Sequence, residues 1–411
     1  MKFNYYNYMK ISIYALLILP KIPITSNAGI LIGELLLLVT IPFNFLRKIR
    51  INSEFVVLLL FLTYTYTISS LLSGIFLDIF PLESILFFFR VLIYSELFIF
   101  FSNLKVKNLN QIYIDYFYKP YILNFSLSFI IFLTEFIIKK PSIMDMLWGY
   151  QVGFRLIPIT GLSLDIFSEN ILPLSVIGGG SANMIFAFSL INLLISFYLN
   201  KAKFHLVFII AMIYTFLSMT RGGTLTLFIF IFYVLVSKKT KLKDKIRIIL
   251  MFILLLVIIL TLIEFMNFPN IFDRIFNTLD NGTLDASSMG RIKNYKDFFY
   301  SWISNFRYII FGMGNDSSLY LQINGHSLIE SYYLQVLFGS GLIGIIILLY
   351  YFYIVYKKSH FNKSYKILFT YLLIQSIINW SITGGDFLSP INLFILFSIM
   401  GIKNNYKIRS D

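Results

Sequence analysis

An arginine stands among hydroxyl groups and glycines in the run Ser218-Met219-Thr220-Arg221-Gly222-Gly223, which joins two apolar segments. The two glycines permit a tight reversal, and the helix that follows would present free backbone N–H groups beside Arg221. Helix N-termini and a guanidinium fork both bind oxyanions well, so this run is typical of a phosphate contact. The alternative is an interfacial arginine that only extends toward lipid headgroups. The sequence leaves both readings open.

A second group of polar residues lies further along the chain. Arg291 follows a glycine and could be a second anion contact, while Gly312-Met313-Gly314 precedes His326 and Glu330. A flexible glycine stretch before a histidine near a carboxylate predicts a general base in a mobile lid. His326 and Glu330 are four residues apart and would share a face if the next helix began before them. The alternative is an ordinary loop histidine whose hydrogen bonds are satisfied.

A third arginine, Arg155, lies upstream among glycines and precedes Asp165. Arg155 would be a further cation at the same site, and Asp165 could accept a hydrogen bond from a sugar hydroxyl. The alternative is a pair of ordinary solvated loop charges.

The composition sets the environment in which these residues work. Of 411 residues, 58% are hydrophobic and 13% are charged, about half the charged share of an ordinary soluble domain. Apolar runs long enough to cross about 30 Å of hydrocarbon recur along the whole chain. They are apolar on every face and do not alternate with period two, so they predict helices and exclude a barrel. We therefore predict an all-α integral membrane protein.

The apolar runs predict about 12 transmembrane helices in a single polytopic domain, residues 1–411. Most of the 34 Lys and Arg residues lie in the short connections of one side, which the positive-inside rule makes cytoplasmic, together with both termini. The predicted helices lie near residues 9–25, 28–46, 54–77, 83–102, 118–138, 182–200, 204–219, 222–237, 247–265, 332–356, 367–383 and 389–402.

Two segments on the outer side are much longer than turns, at about residues 139–181 and 266–331. Loops of this length on a compact bundle are usually functional or disordered. Between residues 291 and 306, however, apolar and aromatic residues recur at helical spacing, which predicts an amphipathic helix on the membrane surface. We expect the larger loop to be partly helical and to fold over the outer mouth of the bundle, where the two loops form the active-site face.

Several function classes are excluded or disfavoured. The chain has no Cys, which excludes disulfides and thiolate sites, and its 3 His are too scattered for a histidine-based metal site. It has no Walker loop and no dinucleotide fingerprint. Its net charge of +14 follows from membrane orientation, so it does not indicate a nucleic-acid partner.

In this order and placement, the motifs resemble the integral-membrane O-antigen polymerases and O-antigen ligases. The resemblance covers roughly residues 150–350 and depends on Arg155 with Asp165, the turn at Arg221, Arg291 at the start of an aromatic helix, and Gly312-x-Gly314 before His326. Two positions depart from the pattern. Thr220 stands where Ser is common, and Ser327 follows the histidine where ligases often carry Asn, which favours a polymerase.

The resemblance implies a glycosyltransferase of the bacterial inner membrane that needs no metal or other cofactor. Its substrate would be an oligosaccharide on undecaprenyl pyrophosphate, bound at the outer face. Arg221 and Arg291 would bind the pyrophosphate, His326 would act on the acceptor hydroxyl, and Arg155, Asp165 and Glu330 would contact the substrate. Membrane lipids are expected partners, and a polymerase could also have a chain-length regulator. The alternatives are an O-antigen ligase, which transfers glycan to lipid A core, and a flippase for lipid-linked oligosaccharides.

Overall fold

The computed structural model describes residues 5–19, 21–23, 29–44, 51–104, 108–138, 182–218, 221–237, 241–265, 286–326, 331–379 and 389–407. These residues form helices almost throughout, which agrees with the all-α prediction. The first part of the chain contains a short antiparallel hairpin, β1 (Lys21–Pro23) with β2 (Gly29–Leu31). The helices of this part are α1 (Tyr5–Ile18), α2 (Ile32–Leu38), α3 (Ile41–Asn44), α4 (Ser53–Thr63), α5 (Ser69–Leu77) and α6 (Leu82–Asn103).

The remaining helices follow in two groups. The middle of the chain forms α7 (Leu109–Tyr113), α8 (Lys119–Ile138), α9 (Ala182–Leu199), α10 (Lys201–Ser218), α11 (Arg221–Val236) and α12 (Leu242–Phe265). The last part forms α13 (Ala286–Ile303), α14 (Phe306–Phe311), α15 (Ser317–Asn324), α16 (Tyr332–Ser359), α17 (Lys363–Asn379) and α18 (Pro390–Lys407). One π-helical turn, Tyr64–Ile68, joins α4 to α5, and another, Ile114–Tyr118, joins α7 to α8.

The predicted helices near 9–25 and 28–46 are wrong in their boundaries. The first helix ends at Ile18 because Pro20 and Pro23 lack the backbone N–H that a continuing helix would need. The second predicted helix opens as β2 and then breaks between α2 and α3. Thr40 turns back there onto the carbonyl of Leu37, and Pro42 cannot donate to the preceding turn. The helix predicted at 118–138 begins earlier, because α7 leads through a π-helical turn directly into α8. Residues 380–383 of the predicted helix 367–383 lie outside the described residues. The remaining predicted helices agree with observed ones within about five residues.

Three helices in the described part of the chain are long and apolar enough to cross a membrane: Ser53–Leu77, Leu82–Asn103 and Tyr332–Ser359. Shorter apolar helices cover Phe186–Leu199, Gly223–Val236 and Pro390–Ile402. The chain is thus an integral membrane protein by its apolar helices, while the number twelve, the single polytopic domain and the orientation stay predictions.

The chain divides into two compact units, which we describe separately. Unit 1 comprises Met1–Leu36 and Val106–Gly282. Its apolar helices are joined by buried polar pairs. Asn124 in α8 donates to the carbonyl of Leu17 in α1 at 3.1 Å and accepts from the hydroxyl of Tyr214 in α10 at 2.8 Å. Polar side chains that pair in this way link apolar helices without leaving a donor or acceptor unsatisfied.

Unit 2 comprises Leu37–Lys105 and Thr283–Asp411, and it contains the three candidate membrane spans. Helix α18 packs against α6 at Gly401, where a side chain would collide with the carbonyl of Phe98. The ring of Phe98 stacks on Phe55 of α4 at a centroid distance of 3.7 Å, and Phe397 meets Phe55 edge-on. The described residues of the 266–331 segment also belong to this unit.

Candidate functional site

His326 lies immediately after the C-terminus of the short helix α15. Gly325 ends that helix with φ of 77°, a conformation that favours glycine, and its N–H donates to the carbonyl of Leu321 at 2.9 Å. The backbone N–H of His326 then donates to Oδ1 of Asn324 at 3.1 Å. The end of α15 therefore fixes the backbone of the histidine.

The carboxylate next to His326 belongs to Asp297. Nε2 of His326 lies 2.9 Å from Oδ2 of Asp297, and the two side chains are only 26% and 38% exposed. The histidine ring also lies 6.1 Å from the ring of Phe298, centroid to centroid. Asp297 and Phe298 are consecutive residues of α13, so this one helix contacts the histidine through both a charge and an aromatic ring.

Asp297 did not stand out in the sequence, although it lies on the predicted amphipathic helix. The helix extends over Ala286–Ile303 and begins before the predicted residue 291. Arg291 and Asp297 are six residues apart on it, a rise of about 9 Å. The predicted partner, Glu330, lies outside the described residues. The next helix, α16, begins at Tyr332, after both His326 and Glu330, so the two do not share a face of it.

A small hydrophobic core lies beneath the His326–Asp297 pair. Phe298, Met313, Tyr320 and Phe338 are at most 2% exposed, and they come from α13, the segment after α14, α15 and α16. Tyr320 meets Phe298 edge-on at 5.1 Å, and Phe338 is nearly parallel to Phe298 at 6.2 Å. Partly buried residues complete this core: Tyr295, Trp302, Tyr308, Ile323, Leu334 and Leu337. Burial of these aromatics contributes several kcal/mol to holding the four elements together.

The predicted flexible glycine stretch is instead a fixed, buried turn, which we call the glycine segment (residues 312–316). Gly312 and Gly314 have φ of 86° and 87°. The N–H of Met313 donates to the carbonyl of Phe338 at 2.7 Å, and that of Gly314 donates to Gly339 at 2.8 Å. These carbonyls lie in α16 just before Gly341, whose φ of 64° and ψ of −164° interrupt the helix. The break frees carbonyls, which the glycine segment then satisfies.

Asn315 anchors the same segment to the long apolar helix Ser53–Leu77. Its Nδ2 donates to the carbonyl of Thr65 at 2.7 Å, its backbone N–H donates to Oγ of Ser70 at 2.8 Å, and its Oδ1 accepts from the hydroxyl of Tyr320 at 2.6 Å. Thr65 is the middle residue of the apolar helix and lies in its π-helical turn, where the wider spacing offers a carbonyl to an outside donor. The glycine segment therefore reaches the midpoint of a candidate membrane span.

Two carboxylates fix the beginning of α15. Asp316 is the N-cap of α15, and its Oδ1 accepts from the N–H of Ser318 at 3.0 Å, while its Oδ2 accepts from the N–H of Ser84 in α6 at 3.2 Å. Glu83 of α6 accepts in turn from the N–H of Ser317 at 3.0 Å and from its hydroxyl at 2.7 Å. Negative charge at two helix N-termini stabilises both. These contacts hold in place the short helix that ends at His326.

Arg221 is the first residue of α11, in unit 1, so the predicted helix start at this arginine is confirmed. Gly223 does not form the reversal but lies within α11, where a side chain would collide with the ring of Phe186 in α9. This glycine allows close packing of the helix that begins at Arg221. Arg155 and Asp165 lie outside the described residues. Arg291 thus lies on α13, the helix whose Asp297 contacts His326, and Arg221 lies at a helix N-terminus of unit 1.

Most of the candidate site residues lie in a segment that matches a known protein family. Residues 206–349 match the O-antigen ligase family. Of the six candidate site residues, Arg221, Arg291, His326 and Glu330 lie within the match, and Arg155 and Asp165 lie before it. No curated protein and no solved structure matches the chain.

Proposed function

Because the chain carries an O-antigen ligase family domain at residues 206–349, we propose that it is a membrane glycosyltransferase of surface-glycan assembly. In this proposal it joins oligosaccharide repeat units, carried on undecaprenyl pyrophosphate, into O-antigen or capsular polysaccharide. The observation that carries the proposal is the attachment of the partly buried His326 to Asp297. A histidine held by a carboxylate and an aromatic core, on elements adjoining the helix of Arg291, is suited to moving a proton beside an anion.

The proposed chemistry assigns a role to each arginine. Displacement of a lipid pyrophosphate from an anomeric carbon builds negative charge on the leaving oxygens. Arg221, at the N-terminus of α11, and Arg291, on α13, would stabilise this charge without a metal ion. Arg155 would be a further substrate contact. Asp165 and Glu330 would accept hydrogen bonds from sugar hydroxyls.

The proposed location follows from the distribution of charge. With the basic connections in the cytoplasm, both termini are cytoplasmic and the 266–331 segment lies on the outer face of the bacterial inner membrane. Lipid-linked sugars exposed on that face would reach His326 from the lipid bilayer. A chain-length regulator would be a further partner of a polymerase.

An O-antigen ligase is the second candidate, and it is the activity for which the matched family is named. It would use the same donor and the same arginines, with lipid A core as the acceptor. Ser327 after the histidine is the feature that favours the polymerase. A flippase is the third candidate, but a transporter would be expected to show an internal sequence repeat, and this sequence shows no clear one.

The deciding experiment measures the size distribution of surface glycan in cells that lack the gene and are complemented with variants. We expect wild type to restore long chains and His326→Ala to leave a single repeat unit on the lipid anchor. His360→Ala is the matched control, because His360 is an exposed histidine at the end of α16. Loss of all glycan from lipid A would indicate the ligase, and cytoplasm-facing lipid-linked units would indicate the flippase.

A further inference from the structure

The hydrogen bond between His326 and Asp297 distinguishes the two nitrogens of the histidine ring. An ionised carboxylate can only accept hydrogen bonds, so Nε2, at 2.9 Å from Oδ2 of Asp297, is the nitrogen that carries the hydrogen. In the neutral ring, Nδ1 then holds the lone pair. None of the residues that the structure describes gives Nδ1 a hydrogen-bond partner. The side chain is 26% exposed, so part of the ring is accessible to a small polar group.

The surroundings keep the ring in this orientation. Gly325 and Asn324 hold the backbone on one side, and the ring of Phe298 lies at 6.1 Å with an interplanar angle of 35° on another. A half-turn of the ring about Cβ–Cγ would put Cε1 in the place of Nε2 and break the contact with Asp297. Phe298 is fully buried, so Asp297, the preceding residue of the same helix, cannot follow such a rotation without disturbing the core.

We infer that Asp297 is a positioning residue, and that Nδ1 of His326 is the atom that accepts the proton from the acceptor sugar. This inference rests on the proposed glycosyl transfer. Asp297 acts through the histidine and does not touch the substrate. It fixes which nitrogen is free, and it stabilises the positive charge that the ring acquires.

The proposed glycosyl transfer is a single displacement at the anomeric carbon of the donor. The acceptor hydroxyl oxygen forms a bond to the anomeric carbon of the donor, and its proton passes to Nδ1. The bond between that carbon and the pyrophosphate oxygen breaks, and its electron pair leaves with undecaprenyl pyrophosphate. The imidazolium that results is paired with the carboxylate of Asp297 and later returns its proton to water.

Substitution of Asp297 would have different effects if its contact with His326 only stabilised the fold and if it positioned the ring. If Asp297 only stabilised the fold, Asp297→Asn, which keeps the shape of the side chain, would alter stability more than turnover. If it positions the ring, the amide can donate to Nε2, so the hydrogen moves to Nδ1 and the free nitrogen faces the wrong way. Asp297→Glu keeps the charge and is expected to restore part of the activity.

The test uses the full-length protein in lipid nanodiscs with lipid-pyrophosphate-linked repeat units. We expect Asp297→Asn and Asp297→Ala to lower kcat on the order of 100- to 10,000-fold while KM changes less than about threefold. Asp244→Asn is the matched control, because it removes a half-exposed carboxylate that lies 4.0 Å from the ammonium group of Lys201. A kcat for Asp297→Asn within about threefold of wild type would overturn the inference.

A spectroscopic measurement can locate the hydrogen on the ring of His326 without an assay of activity. The chain has 3 His, so ¹⁵N-histidine labelling with His205→Gln and His360→Gln leaves only the signals of His326. We expect a protonated Nε2 and an unprotonated Nδ1 in wild type, and the reverse in Asp297→Asn. A hydrogen on Nδ1 in the neutral wild-type ring would overturn the inference. If wild type transfers no sugar, the proposed function fails, while the spectrum still decides how Asp297 orients the ring.

Discussion

Glu83 and Asp316 each cap the helix to which the other belongs. The carboxylate of Glu83, in the first turn of α6, accepts from the N–H of Ser317, and that of Asp316, at the start of α15, accepts from the N–H of Ser84. Two helix N-termini thus share two negative charges. The relationship connects residues more than 230 positions apart and fixes α15, which ends at His326.

The first prediction concerns this pair. Asp316→Ala removes the cap of two helices and is expected to lower the free energy of unfolding by about 2–4 kcal/mol. Asp316→Asn keeps a capping oxygen, so about 1 kcal/mol is expected. Thermal unfolding in detergent measures both. Asn305→Ala is the control, since Asn305 caps only the exposed helix α14. An Asp316→Ala variant as stable as this control would contradict the shared cap.

The second prediction concerns Asn315. Its Nδ2 is the donor to the carbonyl of Thr65, so Asn315→Asp would place a carboxylate oxygen against that carbonyl at a site that is only 5% exposed. We expect a loss of about 2–4 kcal/mol, comparable to that of Asn315→Leu, because both leave a buried group unsatisfied. Chemical denaturation in detergent is the measurement. A stable Asn315→Asp variant would show that the glycine segment is not anchored there.

The third prediction compares three glycines by substitution with alanine. Gly341→Ala would force a side chain against the carbonyl of Ile310 at a positive φ, so we expect failure to fold or a loss of more than about 3 kcal/mol. Gly325→Ala meets no neighbour but keeps a φ of 77°, which costs about 1–2 kcal/mol. Gly290→Ala, in the open face of α13, should be stabilising by about 0.5–1 kcal/mol. Unfolding midpoints that do not follow this order would contradict the backbone described here.

The fourth prediction concerns the arginines. Arg221→Ala and Arg291→Ala are expected to abolish glycan polymerisation while leaving membrane insertion intact. Substitution with Lys should also impair activity if the contact is bidentate, because an ammonium group cannot present two parallel donors. Glycan chain length in complemented cells is the readout, and Arg247→Ala, an exposed arginine of α12, is the control. Normal chain length in both alanine variants would refute the pyrophosphate contact.

The fifth prediction concerns the outward face of α13. Ile292, Phe299 and Ile303 are exposed on the helix that carries Arg291, on the side away from the Phe298 core. We expect this face to lie in the lipid interface. Since the chain has no Cys, a spin label on Phe299→Cys can be compared directly with one on Lys293→Cys, an exposed position roughly 120° away around the helix. Oxygen should relax the label at residue 299 more strongly. A water-soluble nickel complex should relax the label at the lysine position more strongly. Equal accessibility would contradict a membrane-surface helix.

The sequence predicts most of the helices because an apolar run of sufficient length leaves the backbone no alternative in lipid. It did not predict the β1–β2 hairpin or the early end of α1, where the prolines outweigh the apolar character of the run. It predicted the amphipathic helix but not the role of Asp297, because a contact across 29 residues depends on how α13 and α15 pack. The break at Gly341 was also missed. A glycine in an apolar helix does not reveal whether its backbone is helical, since that depends on which segment packs beside it.

The break in α16 constrains the order in which this protein can be built. Residues 306–326 leave the ribosome before α16, so the N–H groups of Met313 and Gly314 appear before the carbonyls that will accept from them. Thr65, Ser70 and Ser73, which bond to Asn315 and Gly312 of the same segment, are synthesised much earlier. The carbonyls of Phe338 and Gly339 would remain unsatisfied in hydrocarbon until the earlier segment reaches them, at a cost of several kcal/mol each. We therefore expect a late docking step, in which the glycine segment pairs with α16, to complete this half of the protein.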